Sequence, residues 1–515
     1  MADEPIINTF QQRRALEQAM DALAETVSEA DLVEAVRALN FTYPATLLLP
    51  ALLKRLDTPS SQLRGGLARL AALLPPEEAA PALRRYAGDR RNLPTGRTTA
   101  AMILDRFLGD PAPPALTADL HASDDAAFQS LAEAVADART NPHVLLEYVT
   151  QMQPYGEEIA LLVLHHLDRL AADDRVPLLR LMAQDARAVV ARAALGRLDA
   201  LASAGSAPAA RALYTLQRAT APDIAALAAR AQRKLQFRGA GFRPIEATGT
   251  RALLAPAEIS GAQWLLLVLP ADPQSPASRP LLAGFHLHLA YGILDSFYGE
   301  AGATLPPPAP LGASVSLPSE AGDRLYLEVD FDLGRMLLQR GLLPHSTGQA
   351  KTPLRDDYLL HHDRMWHYAA PAPQPAAAAL LDAENTPPLA DRDVAAAAAA
   401  LGADPCMAEW LIPARPLQDT FAKLAAGAAE TLLDRMTRTA LEMIDGSPTG
   451  ETVRSNFDNG LRLQAVWLNA AGRAPLAEET ARLARTLAHW PLLDNPLLYM
   501  ALRRGLEQQR ARWGK

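Results

Sequence analysis

A spacing of about 32 residues organises the first half of the chain. Prolines that mark this spacing stand at Pro50, Pro81, Pro114, Pro177 and Pro208, in steps of 31, 33, 63 and 31 residues, and the third step covers two units. Three of these prolines accompany a similar segment: an apolar helical pattern, a turn with an aspartate, and a second helical pattern. Such a period indicates stacked helix pairs, because one pair cannot bury its own apolar face.

The three segments are LLPALLKRLDTPSSQLRGGLARLAALL from Leu48, PALRRYAGDRRNLPTGRTTAAMILDRFL from Pro81 and VPLLRLMAQDARAVVARAALGRL from Val176. They resemble the HEAT/armadillo-like repeat family, and the resemblance covers roughly residues 30 to 237. It implies an α-solenoid whose role is to bind a partner. Leucines at helical spacing behind each turn are then expected to be buried between layers: Leu67, Leu70, Leu104, Leu195 and Leu198.

The repeated segments also share a charge pattern. An aspartate precedes an arginine by seven or eight residues in each, and the pairs are Asp57 with Arg64, Asp89 with Arg97 and Asp185 with Arg192. The arginines can form a ladder for an acidic ligand, or each can pair with its aspartate and order the turn between helices. The near-constant spacing favours the pairing.

The pattern changes after Phe237. Trp264–Pro270 is a short apolar run and Arg279–Leu289 alternates, with a turn-rich stretch between them, so the two predict a β-hairpin. Ala290–Glu300 is expected to be a short helix. Leu325–Leu343 begins with alternation and ends with a helical pattern.

The chain is rich in apolar residues, at 49%, but has only 5% aromatic residues, and this balance favours helices over sheets. We therefore predict a mainly α fold with four parts. These are a HEAT-like α-solenoid over residues 1–240, a small α+β domain over 245–370, a Pro/Ala linker over 371–380 and a C-terminal helical domain over 381–515.

A cluster of metal-ligating side chains stands in the segment HHDRMWH, which contains His361, His362, Asp363 and His367. On a helix Asp363 and His367 lie four residues apart on one face, and imidazole and carboxylate suit zinc, manganese or iron. The distant third ligand would be His286 or His288. Against this, the HExxH arrangement is missing, and packing plus a solvated face accounts for the same residues.

Three carboxylates alternate along LEVDFDLG, namely Glu328, Asp330 and Asp332. They can converge on a cation or act as acid and base, or they can form the polar face of a strand, which the pattern favours. His286 and His288, and the pair His165 and His166, are expected to be structural. Motifs for a serine nucleophile elbow or a phosphate-binding loop do not occur in the sequence.

A basic cluster precedes the second helix of one repeat. Arg84, Arg85, Arg90 and Arg91 stand close together with one aspartate among them, and they are a candidate surface for an acidic partner or for a nucleic-acid backbone. The chain as a whole carries a formal charge of -8, so nucleic acid is not the favoured partner. Most basic clusters on helical repeats are simply solvated.

These observations favour a non-enzymatic protein that binds another protein through its helical-repeat surface and needs no cofactor. A metal-dependent enzyme with its site in the α+β domain is the first alternative, and a nucleic-acid-associated protein is the second. The single cysteine, Cys406, excludes an intramolecular disulfide. We expect no membrane span, no N-terminal signal and a cytoplasmic location.

Overall fold

The computed structural model describes residues 4–26, 29–58, 60–89, 91–110, 124–272, 278–302, 305–319, 322–382, 385–412, 430–445 and 449–513. The chain forms two compact units, Met1–Ala209 (unit 1) and Ala210–Lys515 (unit 2). Both units are mainly helical, and unit 2 also contains one antiparallel sheet. None of the helices within these ranges combines the length and the apolar character that crossing a membrane requires.

Unit 1 consists of helices in its described part. They are α1 (Glu4–Ala22), α2 (Glu29–Thr42), α3 (Ala45–Leu53), α4 (Ser61–Leu73), α5 (Pro76–Gly88), α6 (Pro94–Phe107), α7 (Asp124–Asp137), α8 (His143–Met152), α9 (Glu157–Leu167), α10 (Ala172–Met182) and α11 (Ala188–Ser203). Successive helices pack as pairs, for example α5 with α6 and α10 with α11. The five leucines that the spacing predicts to be buried are 0 to 5% exposed, so that prediction is confirmed.

Three of the five spaced prolines share a position within their helices, whereas Pro208 is the second residue of the helix Ala207–Thr215 and Pro114 lies outside the described residues. Pro50, Pro81 and Pro177 are each the sixth residue of their helices, α3, α5 and α10. Each of these helices is the first of a pair. A proline within a helix removes one backbone hydrogen bond, and this cost recurs at the same place in three helices.

The turn before α11 is ordered by an ion pair between residues two apart. Oδ1 of Asp185 accepts a hydrogen bond from the backbone N–H of Arg187 at 2.8 Å, and Oδ2 accepts one from Nη2 of the same residue at 2.7 Å. Asp89 and Arg91 repeat this arrangement before α6. The arginine that pairs with the aspartate in each turn is thus two residues on, and not seven or eight residues on as the spacing predicted. An aspartate readily binds the backbone N–H two residues on. Arg97 donates from Nε to the carbonyl O of Ala87 at 2.8 Å.

Arg187 also joins consecutive helix pairs, because its Nη1 donates to the carbonyl O of Tyr155 at 2.7 Å. The Arg187→Ala change would leave the carboxylate of Asp185, which is 3% exposed, without its cation. We expect the free energy of unfolding to fall by about 2 kcal/mol in a urea titration. Arg91→Ala is the matched control. Arg91 forms the same ion pair in the corresponding turn, but its side chain is 90% exposed, so the change should leave the free energy of unfolding nearly unchanged. Equal losses in the two variants would contradict this account.

Unit 2 is built around a six-stranded antiparallel sheet. Its strands are β1 (Arg251–Leu254), β2 (Ala262–Leu269), β3 (Leu281–His288), β4 (Gly292–Glu300), β5 (Ser314–Ser319) and β6 (Gly322–Val329), in the order β4-β3-β2-β1-β6-β5. β2 and β3 form the predicted hairpin, with Leu265 opposite Phe285. The strand followed by a helix that the sequence indicates at Leu325–Leu343 is also present, as β6 and the helix after it.

The short helix predicted at Ala290–Glu300 is wrong, because these residues form a turn and strand β4, which pairs with β3. Gly292 has φ +88 at the start of β4, a conformation that favours glycine and suits a tight turn. The ring of His288 reinforces the turn, since its Nδ1 accepts the backbone N–H of Ala290 and of Tyr291 at 3.1 and 3.2 Å. Pairing with β3 makes these residues a strand, and a short apolar run by itself does not indicate that such a partner is present.

The helices of unit 2 follow and flank the sheet. They are α12 (Ala207–Thr215, which crosses the unit boundary), α13 (Pro222–Phe237), α14 (Phe331–Thr347), α15 (Asp356–Trp366), α16 (Pro375–Leu381), α17 (Asp391–Gly402), α18 (Glu430–Asp445), α19 (Thr449–Ala470), α20 (Ala474–Leu487) and α21 (Pro496–Trp513). α14 packs on strands β1 to β4, and α19 contacts β2 and β6. One hydrophobic core joins the sheet to these C-terminal helices.

The predicted linker at 371–380 contains α16, whose Ala377 and Leu380 are buried in that common core. Proline at the first helical position and a run of alanines favour a helix more strongly than the Pro/Ala composition favours an extended chain. The α+β residues and the C-terminal helices are therefore packed together, in contrast to the predicted separation at 371–380. The boundary between units also lies at Ala209, earlier than the predicted 240.

Side chains of the C-terminal helices bind the backbone around β1. Trp467 of α19 donates from Nε1 to the carbonyl O of Leu254 at 3.1 Å. Gln464 accepts the backbone N–H of Ala257 at 2.9 Å, and Trp410 donates to the carbonyl O of Ala257 at 2.6 Å. These partners are 153 to 213 residues apart in sequence. They fix the segment between β1 and β2 to helices made much later in the chain.

Candidate functional site

A groove in unit 1 runs between α4, α6, α7 and α8, and we call it the unit 1 groove. Its volume is about 200 Å³. Its larger apolar side chains come from α6 and α8 and are Met102, Phe107 and Val144, and Phe107 is 38% exposed. Helix-pair proteins bind through side chains that several repeats present on one surface. Four helices contribute side chains to the lining of this groove.

Polar groups complete the lining of the unit 1 groove. Arg64 reaches across from α4 to α7, where its Nη1 lies 3.5 Å from Oε2 of Glu133. Glu147 accepts a hydrogen bond from Gln151 at 3.2 Å. Burial raises the pKa of Tyr148 to about 12, so its phenol keeps its proton at neutral pH. With Arg69 the four charged lining residues balance, two positive against two negative.

The predicted basic cluster is partly neutralised. Arg84 forms an ion pair with Asp110, and Arg91 forms one with Asp89. Arg85 is exposed, and Arg90 lies outside the described residues. Two of the predicted charges are thus already balanced by aspartates, which weakens the attraction that a nucleic-acid backbone would feel.

A second concentration of polar side chains is buried in unit 2, and we call it the Arg211 cluster. One oxygen of Asp272, one oxygen of Asp363 and a ring nitrogen of His367 lie within 4.8 Å of one another. Nη2 of Arg211 lies 2.5 Å from each carboxylate and 2.7 Å from Nδ1 of His367. The guanidinium therefore takes the place that a cation would need.

The tautomer of His367 follows from this geometry. Arginine has only donors, so Nδ1 of His367 must accept from Arg211 and the proton of the neutral ring lies on Nε2. Burial, with the charge of Arg211 as the next cause, lowers the pKa of His367 to about 4. The ring is therefore neutral at pH 7. His288 is similar: its Nδ1 accepts two backbone N–H groups, and burial lowers its pKa to about 4.

The predicted metal ligands separate in the structure. Asp363 and His367 are brought together as their four-residue spacing predicts, but His361 stacks on Tyr298 with ring centroids 4.8 Å apart. His362 is buried edge-on against Tyr358. Adjacent helical residues point about 100° apart, so four residues within seven do not share one face. The metal site stays a prediction. The third group beside Asp363 and His367 is Asp272 rather than the predicted His286 or His288, and a cation there would require Arg211 to move away.

The alternating carboxylates bind three different partners. Glu328 forms a two-point ion pair with Arg251, at 2.8 and 2.7 Å. Asp330 caps the N-terminus of α14, and Asp332 binds Arg335. β6 ends at Val329, so the alternation does not continue through the last two residues. They do not form one cation site.

Three features of these sites were not predicted from the sequence: Arg211, Asp272 and the unit 1 groove. Arg211 lies in an alanine-rich helix, and its partners are 61 to 156 residues later. A single arginine among apolar residues of a helix was the available signal. It predicts a buried partner without saying which one.

Comparisons with protein-family models, with curated proteins and with solved structures found no match to the chain.

Proposed function

We propose that the chain is a non-enzymatic interaction protein and that the unit 1 groove binds an extended segment of a partner protein. The observation that carries the proposal is the groove itself, to which four helices from consecutive parts of the repeat region contribute side chains. The recurrence of proline at the sixth position of α3, α5 and α10 supports a HEAT-like origin of these helices. Helical repeats that stack in this manner present long binding surfaces.

The lining of the groove indicates the chemistry of the partner. Its charged residues balance, and Arg64 already has Glu133 as a counter-ion. Threonine, serine and glutamine side chains supply donors and acceptors that suit an extended backbone. Phe107, Met102 and Val144 offer one apolar area. The matching ligand is an uncharged polar segment with one apolar anchor side chain.

The contacts of the candidate catalytic groups also support this proposal over a metal-dependent enzyme. Glu328 is engaged by Arg251, and both Asp272 and Asp363 are engaged by Arg211. Cys406 accepts a hydrogen bond from Gln464, and burial raises the pKa of its thiol, which disfavours the reactive thiolate. Metal binding in the Arg211 cluster would require the displacement of a buried guanidinium.

The proposal is tested by site-specific crosslinking followed by affinity measurement. A photo-crosslinking amino acid replaces Ser130, an exposed residue of the groove, and in a second protein it replaces Val189, which is 49% exposed elsewhere in unit 1. We expect one partner segment to be captured at Ser130 and absent at Val189. Mass spectrometry of the crosslinked peptide then identifies the segment, which is synthesised for titration calorimetry.

Affinity for that synthetic segment should depend on Phe107. The Phe107→Ala change should raise its Kd about tenfold, since loss of an aromatic side chain that the bound segment covers costs more than 1 kcal/mol. Phe41→Ala is the matched control: Phe41 is 94% exposed on α2 and should leave Kd within about twofold. Capture of the same segment at both crosslinker positions, or equal Kd values in both alanine variants, would overturn the proposal.

A further inference from the structure

A small cavity in unit 2 is lined by two arginines, and we call it the Arg218–Arg335 cavity. Its volume is about 120 Å³. One wall is the 3-10 turn Leu216–Arg218 after α12, another is Arg335 of α14, and a third is the segment from Trp366 to Pro371. The only charged residues in its lining are these two arginines.

Arg335 is buried and incompletely hydrogen-bonded. Its residue is 2% exposed, its Nη1 donates to the carbonyl O of Ala369 at 2.8 Å, and its Nη2 pairs with Asp332. Its Nε–H is buried and has no acceptor within the described ranges. A buried donor without an acceptor costs free energy, and a charged donor costs more than a neutral one. Arg335 therefore brings a buried positive charge to the lining of the cavity.

Arg218 is the exposed counterpart of Arg335. No ion pair or hydrogen bond of its side chain appears within the described part of the chain, and Gln217 beside it offers an amide N–H₂ to the same cavity. Tyr214 donates its phenol proton to the carbonyl O of Tyr368 at 2.8 Å, which holds the turn against α15. The cavity therefore combines a buried guanidinium with an accessible one.

Charge at the cavity favours an anion. Arg218 and Arg335 contribute two positive charges, and Asp332, which pairs with Arg335, contributes one negative charge, so one positive charge remains. The neighbouring Arg211 cluster brings Asp272 and Asp363 together with Arg211 and Arg364, so its charges cancel. The excess positive charge of the cavity is thus not neutralised from that side.

We propose that the Arg218–Arg335 cavity binds the phosphate group of a small ligand. Guanidinium groups present planar N–H donors that match tetrahedral oxyanions, and the cavity has room for several water molecules and hence for one such anion. Arg335 supplies a buried positive charge in the lining, and the side chains of Arg218 and Gln217 supply N–H donors. This site lies in unit 2, and the inference does not depend on the function proposed for unit 1.

Titration calorimetry of the full chain tests the site with two probes, inorganic phosphate and glycerol 3-phosphate, at constant ionic strength with chloride as the balancing anion. Saturable binding of inorganic phosphate alone would assign the site to the free anion. Binding of both would assign it to phosphate monoesters as well. Either result supports the site, and absence of saturation by both probes at roughly 10 mM would overturn it.

Two variants locate the binding. Arg218→Ala should raise the Kd for the bound probe about tenfold or more, while the melting temperature without ligand stays the same because the Arg218 side chain is exposed. Arg340→Ala is the matched control, since Arg340 is an exposed arginine of α14 outside the cavity. Equal losses in these two variants would show a general effect of charge and would overturn the proposal.

Discussion

Replacing Arg211 with alanine should lower the free energy of unfolding by about 3–5 kcal/mol, because the change leaves buried charges without a partner. Arg211 is 8% exposed and its Nη2 binds both Asp272 and Asp363. In the variant the two carboxylates would face each other without a cation. Urea denaturation of both proteins in EDTA measures the loss, and a variant as stable as the wild type would contradict the charge account.

Zinc should restore part of the stability that Arg211→Ala removes. Asp272, Asp363 and His367 each offer one ligand atom to a common point, and the truncated side chain would leave room for the ion. Metal that binds the folded state alone raises the free energy of unfolding with the logarithm of the ratio of free metal to Kd. Wild-type protein should show no zinc-dependent gain.

The matched control for zinc is Arg251→Ala. It removes a partly buried arginine, whose side chain is 12% exposed, from a two-point ion pair with the buried Glu328. The free energy of unfolding should fall by a similar amount in Arg251→Ala. Zinc should not restore it, because one carboxylate does not make a zinc site. Equal recovery of both variants would mean that zinc acts elsewhere on the protein.

Stability should fall steeply between about pH 6.5 and pH 4 because two histidines are buried in the neutral form. The pKa of His288 and that of His367 are both lowered to about 4, so in this interval the unfolded chain binds protons that the folded protein does not. Stability is thus fully present above pH 6.5 and is lost as the pH falls. Each residue should contribute about 1.4 kcal/mol per pH unit to the slope.

A series of urea titrations between pH 4 and pH 8 measures this slope. His288→Gln and His367→Gln should each reduce it by about one proton's contribution, whatever they do to stability at pH 7. His489→Gln, which alters an exposed histidine, should keep the wild-type slope. A slope that neither buried substitution changes would assign the acid sensitivity to other groups.

The parts of the fold that could be predicted from the sequence are those that local periodicity determines. Leu67 and Leu198 are buried because helical spacing places them on the apolar side, and the hairpin of β2 and β3 follows from two apolar runs with a turn between them. β4 was missed because its pairing with β3 determines its structure. The helix at 375–381 was missed because composition was weighted above helix propensity.

The site residues also divide into those that a local sequence pattern predicts and those that only tertiary contacts bring together. Asp363 and His367 come together because four residues is one helical turn, and this spacing is visible in the sequence. Arg211 and Asp272 join them through tertiary contacts between segments that have no common local pattern. The Asp-x-Arg turns, Asp89 with Arg91 and Asp185 with Arg187, are also visible in the sequence as short motifs. Sequence patterns thus locate faces of helices better than they locate partners.

The bonds from Trp410, Gln464 and Trp467 to the backbone near β1 have a consequence for synthesis of the chain. Leu254 leaves the ribosome 213 residues before Trp467. At roughly 5–20 residues per second this delay is about 10 to 40 s. During it the sheet lacks the helices that cover one apolar face and bind the carbonyls of Leu254 and Ala257. We therefore expect newly made unit 2 to leave part of this face uncovered until α19 has been synthesised.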